Sequence, residues 1–197
     1  MSGNRAVFLD RDGCVNVEDD HIRAIEQFRL YPDTLESIRR LNHAGFSIVI
    51  ITNQSGVARG LMTEEFVNKV HKLMLEWFDG AGVKVDAVEY CPHHPDGTVE
   101  KYAIKCDCRK PAPGMLNRAA KKLDIDFSRS YVVGDKLSDI ELGPATGAKA
   151  IMVRTGFGKR EAEKITNGDH PAPDFIADGI KDAVEWILSD ARLPGQL

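Results

Sequence analysis

The chain has 197 residues, of which 43% are hydrophobic, and its formal net charge is −4. A chain of this length can bury one sizeable core, so we expect a single domain spanning residues 1–197, and a monomer. The acidic balance argues against a nucleic acid as partner, because phosphate backbones attract basic surfaces. Neither an apolar signal core near the start nor a membrane-length apolar run is visible, so we expect a cytoplasmic protein without a membrane partner.

The first predicted strand is the apolar run 6–9, which leads directly into Asp10, Asp12 and Gly13. Side chains alternate along an extended strand, so Asp10 and Asp12 are expected to point one way and Arg11 another. Gly13 lets the chain turn off the sheet. Two carboxylates this close repel each other unless a cation or a shared proton intervenes. The pair suits Mg²⁺ binding or a division of nucleophile and acid–base roles, and a solvated strand end is the plain alternative.

Helices then alternate with strands along the chain. Asp33 and Glu36 are spaced as a helix N-cap and its partner, and Gly45 ends that helix before a buried strand at 46–51. A second helix begins near Thr63. Its predicted core face consists of Phe66, Val70, Leu73, Met74 and Trp77.

The second half of the chain continues this alternation. Strands are predicted at 86–90, 131–135, 150–153 and 175–177, with helices opening at Pro113, near Ser138 and near Ile180. The pair Gly143-Pro144 predicts a kinked or short helix, and residues 155–173 are predicted to form a loop. The sequence therefore predicts an α/β fold with a doubly wound, mostly parallel, Rossmann-like sheet.

Polar side chains follow several of the predicted strands. Asp10 and Asp12 end the first strand, Thr52 ends the second, Asp135 ends the fourth, and Lys110 precedes a helix. Parallel strands present their carboxyl ends at one edge of a sheet, so these side chains should converge. Carboxylates can hold Mg²⁺ while a lysine and a hydroxyl hold phosphate oxygens. This set predicts phosphate chemistry assisted by Mg²⁺.

Three of the four cysteines lie in the segment 91–108, together with two histidines. Three thiolates and one imidazole form the Cys₃His ligand set of a closed, structural Zn²⁺ site. The predicted ligands are Cys91, His93, Cys106 and Cys108. His94 is an alternative to His93, and a polar loop with reduced cysteines is the alternative to zinc. A zinc loop here would fix the position of Arg109 and Lys110.

Several of these motifs resemble those of the haloacid dehalogenase-like phosphatases. The matching stretches are Asp10-Arg11-Asp12-Gly13, Thr52-Asn53, Lys110 and Gly134-Asp135-Lys136-Leu137-Ser138-Asp139. Within that superfamily, the stretches 52–56, 91–95 and 106–111 are similar to the D-glycero-D-manno-heptose 1,7-bisphosphate phosphatases and the related histidinol-phosphate phosphatases. The resemblance covers residues 5–155. One departure is Cys14, where the superfamily usually has Thr or Val.

The resemblance implies a role for each matching residue. Asp10 would be the nucleophile and Asp12 the acid–base group, while Thr52 and Lys110 would hold phosphate oxygens. Mg²⁺ would be bound by Asp10, by the backbone carbonyl of Asp12 and by Asp135, with Lys136 and Asp139 in support. The predicted substrate-binding residues are Glu18, Asp19, Asp20, His21, Asn53, Gln54, Ser55, Arg109 and Lys136.

The intervals between these motifs leave no room for an inserted cap domain, so we expect an open, capless site. The resemblance implies an Mg²⁺-dependent phosphatase whose small phosphorylated sugar substrate is heptose 1,7-bisphosphate. It would remove the 7-phosphate through an aspartyl phosphate, in the supply of activated heptose for lipopolysaccharide or another surface glycan. Histidinol-phosphate phosphatase is the alternative enzyme. A catalytically silent metabolite-binding zinc protein is the alternative from another class.

Overall fold

A computed structural model of the chain describes residues 3–165 and 170–192. The strands in these residues are β1 (Ala6–Asp10), β2 (Ser47–Asn53), β3 (Ala87–Cys91), β4 (Tyr131–Gly134), β5 (Lys149–Val153) and β6 (Phe175–Ala177). They form a sheet in the order β3-β2-β1-β4-β5-β6, and every neighbouring pair is parallel. The predicted parallel sheet is confirmed, with β1 at its centre.

Helices cover both faces of this sheet. They are α1 (Thr34–His43), α2 (Glu64–Gly80), α3 (Gly114–Leu123), α4 (Leu137–Ile140), α5 (Leu142–Thr146), α6 (Gly158–Ile165) and α7 (Ile180–Asp190). Along β1 the side chains alternate between two cores: Val7 and Leu9 pack with α1, α2 and α7, whereas Phe8 packs with α3. The doubly wound, Rossmann-like architecture is therefore confirmed.

The predicted break near Gly143-Pro144 is confirmed, because α4 and α5 are two short helices on either side of Glu141. The predicted loop at 155–173 is partly wrong, because α6 occupies Gly158–Ile165. Its only apolar side chains are Ala162 and Ile165, which pack against the core, and two residues are too few to mark a helix in a sequence. Residues 166–169 of that predicted loop lie outside the described residues.

The predicted core face of α2 is rotated from the one observed. Val67, Val70, Met74 and Phe78 are buried, whereas Trp77 is 40% exposed. Phe66 and Leu73 are only partly buried, at the margin of the core. Apolar residues lie on two adjacent faces of this helix, so the sequence pattern does not show which face packs on the core. Thr63 caps the helix as predicted, accepting a hydrogen bond from the backbone N–H of Phe66 at 3.2 Å.

The elements between β1 and β2 are a loop containing one short 3₁₀ turn and the helix α1. The described residues of this interval contain no inserted domain, which agrees with the predicted capless architecture. Among the residues that the structure describes, no helix is both long and apolar enough to span a membrane.

Candidate active site

The carboxyl ends of β1, β2 and β4 bring the predicted catalytic residues together. Asp10 is the last residue of β1, Thr52 is the second-last residue of β2, and Asp135 directly follows β4. Since β1 pairs with both β2 and β4, these three positions are neighbours across the sheet edge. The structure thus places these polar residues at one edge of the sheet, as the alternation of strands and helices in the sequence predicted.

A cluster of three buried carboxylates lies at the centre of this edge. Asp10, Asp135 and Asp139 each offer an oxygen, and these oxygens lie within 4.8 Å of one another. Burial, with the neighbouring carboxylates, raises the pKa of Asp10 to about 6 and the pKa of Asp135 to about 8. Among the described residues, Oδ1 of Asp135 has no hydrogen-bond partner. The cluster therefore carries more negative charge than its surroundings satisfy.

Lys110 supplies the nearest positive charge to this cluster. Its Nζ lies 2.6 Å from Oδ1 of Asp10 and 2.6 Å from Oδ1 of Asp139. Burial lowers the pKa of an ammonium group, yet the two carboxylates raise the pKa of Lys110 above its usual value. The Asn53 side chain fixes this lysine, since its Oδ1 accepts from the Lys110 N–H at 3.1 Å and its Nδ2 donates to the Lys110 carbonyl at 3.2 Å.

Lys136 also acts on the three carboxylates, but it is itself paired with Glu18, so the two lysines do not balance the negative charge. The ligand atoms that remain are carboxylate oxygens, which are hard donors. That donor set fits Mg²⁺, which is bound in proteins by carboxylates and carbonyl groups. The chain around the cluster is shaped by a close approach: Gly13 has a φ of +91°, and a Cβ there would meet the Asp135 carboxylate. On the other side, the backbone N–H of Phe157 donates to Oδ2 of Asp135 at 2.7 Å.

The Asp12 carboxylate is not part of this cluster. Arg11 donates to both of its oxygens, at 2.9–3.1 Å, while Asn16 donates to Oδ1 at 3.0 Å and Gln54 to Oδ2 at 2.8 Å. Burial raises the pKa of Asp12, but the Arg11 guanidinium and these hydrogen bonds lower it below its usual value. The expectation that Arg11 points elsewhere is wrong. Because β1 ends at Asp10, strand alternation does not extend to Arg11, and its guanidinium contacts the Asp12 carboxylate.

His71 on α2 completes the buried surroundings of Asp12. Its Nε2 lies 3.0 Å from Nη1 of Arg11, and burial together with the Arg11 charge lowers its pKa to about 3. The ring is therefore neutral at physiological pH, and this nitrogen accepts from the guanidinium. Our sequence analysis missed His71, although a polar residue at the i+4 position from the buried Val67 was an available signal.

Most of the predicted substrate-binding residues line a cavity of about 240 Å³ above the cluster. They are Glu18, Asp20, His21, Asn53, Gln54, Ser55, Arg109 and Lys136, and two of the predicted catalytic residues, Asp12 and Lys110, line the cavity with them. Asp19 does not line it, because it is exposed and its carboxylate accepts a hydrogen bond from Gln27 at 3.3 Å. Thr52 is buried under Gln54, whose amide donates to its hydroxyl at 2.8 Å.

Three lining residues, Ile22, Ser138 and Phe157, were not predicted as site residues. Lys136 Nζ crosses the cavity to Oε2 of Glu18 at 3.1 Å. The loop that carries Glu18 continues through Asp20 and His21, which have positive φ angles of 36° and 83°. Two adjacent non-glycine residues in the left-handed region are uncommon and mark a strained segment at the mouth of the cavity.

The sulfur atoms of Cys91, Cys106 and Cys108 form a compact group, with Sγ–Sγ distances of 3.1–3.5 Å. Nδ1 of His93 lies 3.3 Å from Sγ of Cys108. His94 points away, since its Nδ1 accepts from the backbone N–H of Asp96 at 3.1 Å. Four soft or borderline ligand atoms within 4.8 Å of one another fit a tetrahedral Zn²⁺ site, and the structure selects His93 over His94 as its histidine.

Comparison with known proteins finds a family profile and relatives that are phosphatases by name. A family profile described as HAD-hydrolase-like matches residues 107–183. The chain is 40% identical over 189 residues to the D-glycero-beta-D-manno-heptose-1,7-bisphosphate 7-phosphatase of Yersinia pestis, covering 92% of this chain and 94% of that protein. The protein of the same name from Escherichia coli K12 is 40% identical over 193 residues, covering 95% of each chain.

Among solved structures, the chain is similar to the D,D-heptose 1,7-bisphosphate phosphatase of B. bronchiseptica, which was crystallised with magnesium and phosphate. The TM-score is 0.81 and the identity 33%, covering 94% of this chain and 99% of that chain. A HAD-like phosphatase from Mesorhizobium loti gives a TM-score of 0.81 with 32% identity, covering 100% of this chain and 90% of that one.

The excess negative charge at the cluster predicts how stability responds to Mg²⁺. Asp135→Asn removes a buried carboxyl group that must either bind a proton or carry a charge beside other carboxylates, so we expect a higher free energy of unfolding than wild type when both are free of Mg²⁺. Saturating Mg²⁺, at about 100 times its dissociation constant, should add ~2.7 kcal/mol to the wild type and much less to the variant. Denaturant unfolding with and without Mg²⁺ measures both effects. Asp79→Asn, at an exposed position on α2, is the matched control; equal Mg²⁺ responses in all three proteins would contradict this account.

The sulfur cluster predicts one tightly bound zinc ion per chain. Cys106→Ser removes a thiolate, so we expect zinc content well below one per chain and a lower melting temperature. Metal analysis of protein purified without added metals gives the stoichiometry. Cys14→Ala is the control, because Cys14 is buried outside the cluster and should retain zinc. Full zinc and an unchanged melting temperature in Cys106→Ser would rule out this ligand.

Proposed function

The chain belongs to the D-glycero-β-D-manno-heptose-1,7-bisphosphate 7-phosphatase family of the HAD-like hydrolases, and from this membership we propose that it removes the 7-phosphate of that sugar bisphosphate. As a member of this family it is a phosphoric monoester hydrolase. The observation that carries the proposal is the pairing of Asp10 with Lys110 beneath a polar cavity of about 240 Å³. The product, heptose 1-phosphate, would feed activated heptose for surface glycans.

In the first proposed step, an Asp10 carboxylate oxygen attacks phosphorus. The bond to the sugar C7 oxygen breaks as the aspartyl phosphate forms, and protonated Asp12 gives its proton to the leaving oxygen. In the second step, Asp12 takes a proton from water, the water oxygen bonds to phosphorus, and inorganic phosphate leaves with Asp10 restored. Acid–base assistance of this kind is generally worth ~10²–10⁴-fold.

The contacts of Asp12 support the second of these roles in the resting arrangement. Its carboxylate oxygens accept hydrogen bonds from Arg11, Asn16 and Gln54, which favours the ionised form that acts as a base. To act as an acid, the carboxyl group must bind a proton and give up part of its contact with Arg11. We therefore infer that substrate binding moves the Asp12 side chain away from Arg11 and toward the cavity.

The remaining machinery would hold the phosphoryl group in place. Lys110 lines the cavity and contacts the nucleophile at 2.6 Å, so it can follow the charge that develops on the equatorial oxygens. Thr52 would donate its hydroxyl on the other side. Mg²⁺, bound by Asp10, the Asp12 carbonyl and Asp135, would neutralise charge on the phosphoryl oxygens when present. Asp139 supports Lys110 through its own ion pair.

Arg109 is the residue that we propose for the second phosphate. It lies next to Lys110 in the chain, lines the same cavity and is half-buried. Its Nη1 donates to the His93 carbonyl at 3.4 Å, which ties the guanidinium to the sulfur cluster. A planar guanidinium offers paired donors to a phosphate, and a fixed loop lowers the entropy lost when it binds.

Phosphate release from a panel of substrates tests the proposed function. Heptose 1,7-bisphosphate should give the highest kcat/KM, above heptose 7-phosphate, histidinol phosphate and 4-nitrophenyl phosphate. The retained phosphate should be found on C1, as seen by phosphorus NMR of the product. A preference for histidinol phosphate would replace the proposed substrate, and no turnover of any substrate by zinc- and Mg²⁺-loaded protein would favour a silent binding protein.

Arg109 predicts a specific loss on the bisphosphate. Arg109→Ala should lower kcat/KM for heptose 1,7-bisphosphate more than for heptose 7-phosphate. The difference should correspond to about 1.5–3 kcal/mol of transition-state stabilisation, the scale of hydrogen bonds to a charged group. The matched control is Arg59→Ala, at an exposed arginine near His94 that does not line the cavity. Steady-state kinetics on both substrates gives the comparison. Equal losses on the two would mean that Arg109 supports the shared phosphoryl site instead.

A further inference from the structure

The catalytic cavity borders a second hollow of about 270 Å³. Lys136, Ser138 and Phe157 line both spaces, whereas Arg109 lines only the first and Arg160 only the second. We call the second hollow the annex, and its lining is completed by Leu137 and Glu161. A substrate seated on Asp10 therefore has two neighbouring spaces to extend into, each with its own arginine.

Phe157 stands at the junction of the two spaces. Its backbone N–H is held by the Asp135 carboxylate at 2.7 Å, which fixes this residue relative to the carboxylate cluster. Lys136 Nζ lies 4.6 Å from the ring centroid and Arg160 Cζ lies 5.1 Å from it. Cation–π attraction of this kind orients the Arg160 side chain, although 69% of it is exposed. The ring thus holds a guanidinium at the edge of the site.

The polar donors of the annex have weak protein partners. The nearest carboxylate oxygen to Arg160 belongs to Glu161 at 3.9 Å, and that oxygen is already bound by Lys164 at 2.6 Å. In the part of the chain that the structure describes, the Ser138 hydroxyl makes no hydrogen bond to protein. Donors without strong partners beside an apolar ring are suited to a ligand that combines hydroxyl groups with C–H surface.

The charge environment separates the two arginines. Arg109 is half-buried, beside the site where the transferred phosphate binds, and a desolvated guanidinium there favours an anion. Arg160 is mostly exposed, and Glu161 and its partner Lys164 lie beside it, so the annex does not offer the desolvated guanidinium that favours an anion. The annex therefore suits the neutral part of the sugar better than its second phosphate.

We propose that the annex binds the hydroxylated carbons of the heptose that lie between its two phosphates. Phe157 would pack against sugar C–H groups, while Arg160 and Ser138 donate hydrogen bonds to sugar hydroxyls. The proposal rests on the proposed function, because it assumes a sugar phosphate as substrate. It makes Phe157, Ser138 and Arg160 specificity-determining residues, and it adds no step to the reaction.

The test compares Arg160→Ala with Lys159→Ala, which removes the same charge from an exposed neighbour on α6 that lines neither space. The substrates are heptose 1,7-bisphosphate, heptose 7-phosphate and 4-nitrophenyl phosphate. For Arg160→Ala, the ratio of kcat/KM on each sugar phosphate to kcat/KM on the aryl phosphate should fall about tenfold, mainly through KM. The fall should be the same for both sugar phosphates. Phe157→Leu should give a smaller fall in both, and Lys159→Ala none.

Each other outcome overturns the inference. A loss confined to the bisphosphate would mean that Arg160 binds the second phosphate, and equal effects of Arg160→Ala and Lys159→Ala would mean that the annex binds nothing. If the wild type shows no preference for either sugar phosphate over the aryl phosphate, the proposed function itself fails together with the inference. Melting temperatures of the variants show whether a loss comes from unfolding.

Discussion

The structure depends on one buried ion cluster, in which Lys110 pairs with Asp10 and Asp139. Lys110 and Asp10 are 100 positions apart in the chain, and their contact brings the segment after β3 onto the end of the central strand. Buried charges are costly unless they are paired and hydrogen-bonded. Breaking this pairing would leave uncompensated charge in the core, so the cluster constrains the positions of β1, the Lys110 segment and the turn after β4 at once.

The cluster is incompletely neutralised, and this is what prepares it for chemistry. With Asp135 added, three carboxylates face Lys110 and Lys136, and Lys136 is shared with Glu18. The pKa of Asp135 is raised to about 8 by burial and by Asp10. A fold built for stability alone would gain by replacing one of these carboxylates with a neutral group. In the function that we propose, retaining all three would give the site affinity for a divalent cation, and through that cation for a phosphoryl group, at a cost in stability that binding would offset.

In the function that we propose, one candidate metal site would position residues and the other would take part in catalysis. The sulfur cluster of Cys91, His93, Cys106 and Cys108 has four protein ligands, so a zinc ion there would have no open position and would act by fixing the loop. Asn53 fixes the same segment from β2 by its paired hydrogen bonds to the Lys110 backbone. The carboxylate cluster, in contrast, is linked to the cavity by Lys110, which lines the cavity and pairs with Asp10 and Asp139.

The sequence predicted the elements whose signals are local or periodic. The candidate site could be predicted from strands that end at Asp10, Thr52 and Asp135, because parallel strands present their carboxyl ends at one edge of the sheet. The spacing of cysteines identified the sulfur cluster, but only the fold could choose between His93 and His94. Arg11 and His71 were missed because their partners are set by a turn and by the rotation of α2. Phe157 and Arg160 were missed because α6 has only two apolar side chains, Ala162 and Ile165, so the segment was predicted to be a loop.

The central claim is that the Asp10 carboxylate, held by Lys110, is the nucleophile. The most direct measurement is acid quenching of the enzyme during turnover of heptose 1,7-bisphosphate, followed by proteolysis and mass spectrometry of the peptide that contains Asp10. We expect one added phosphoryl group on Asp10, and its absence from Asp10→Asn protein treated in the same way. A phosphoryl group on any other residue, or normal turnover by Asp10→Asn, would contradict the account.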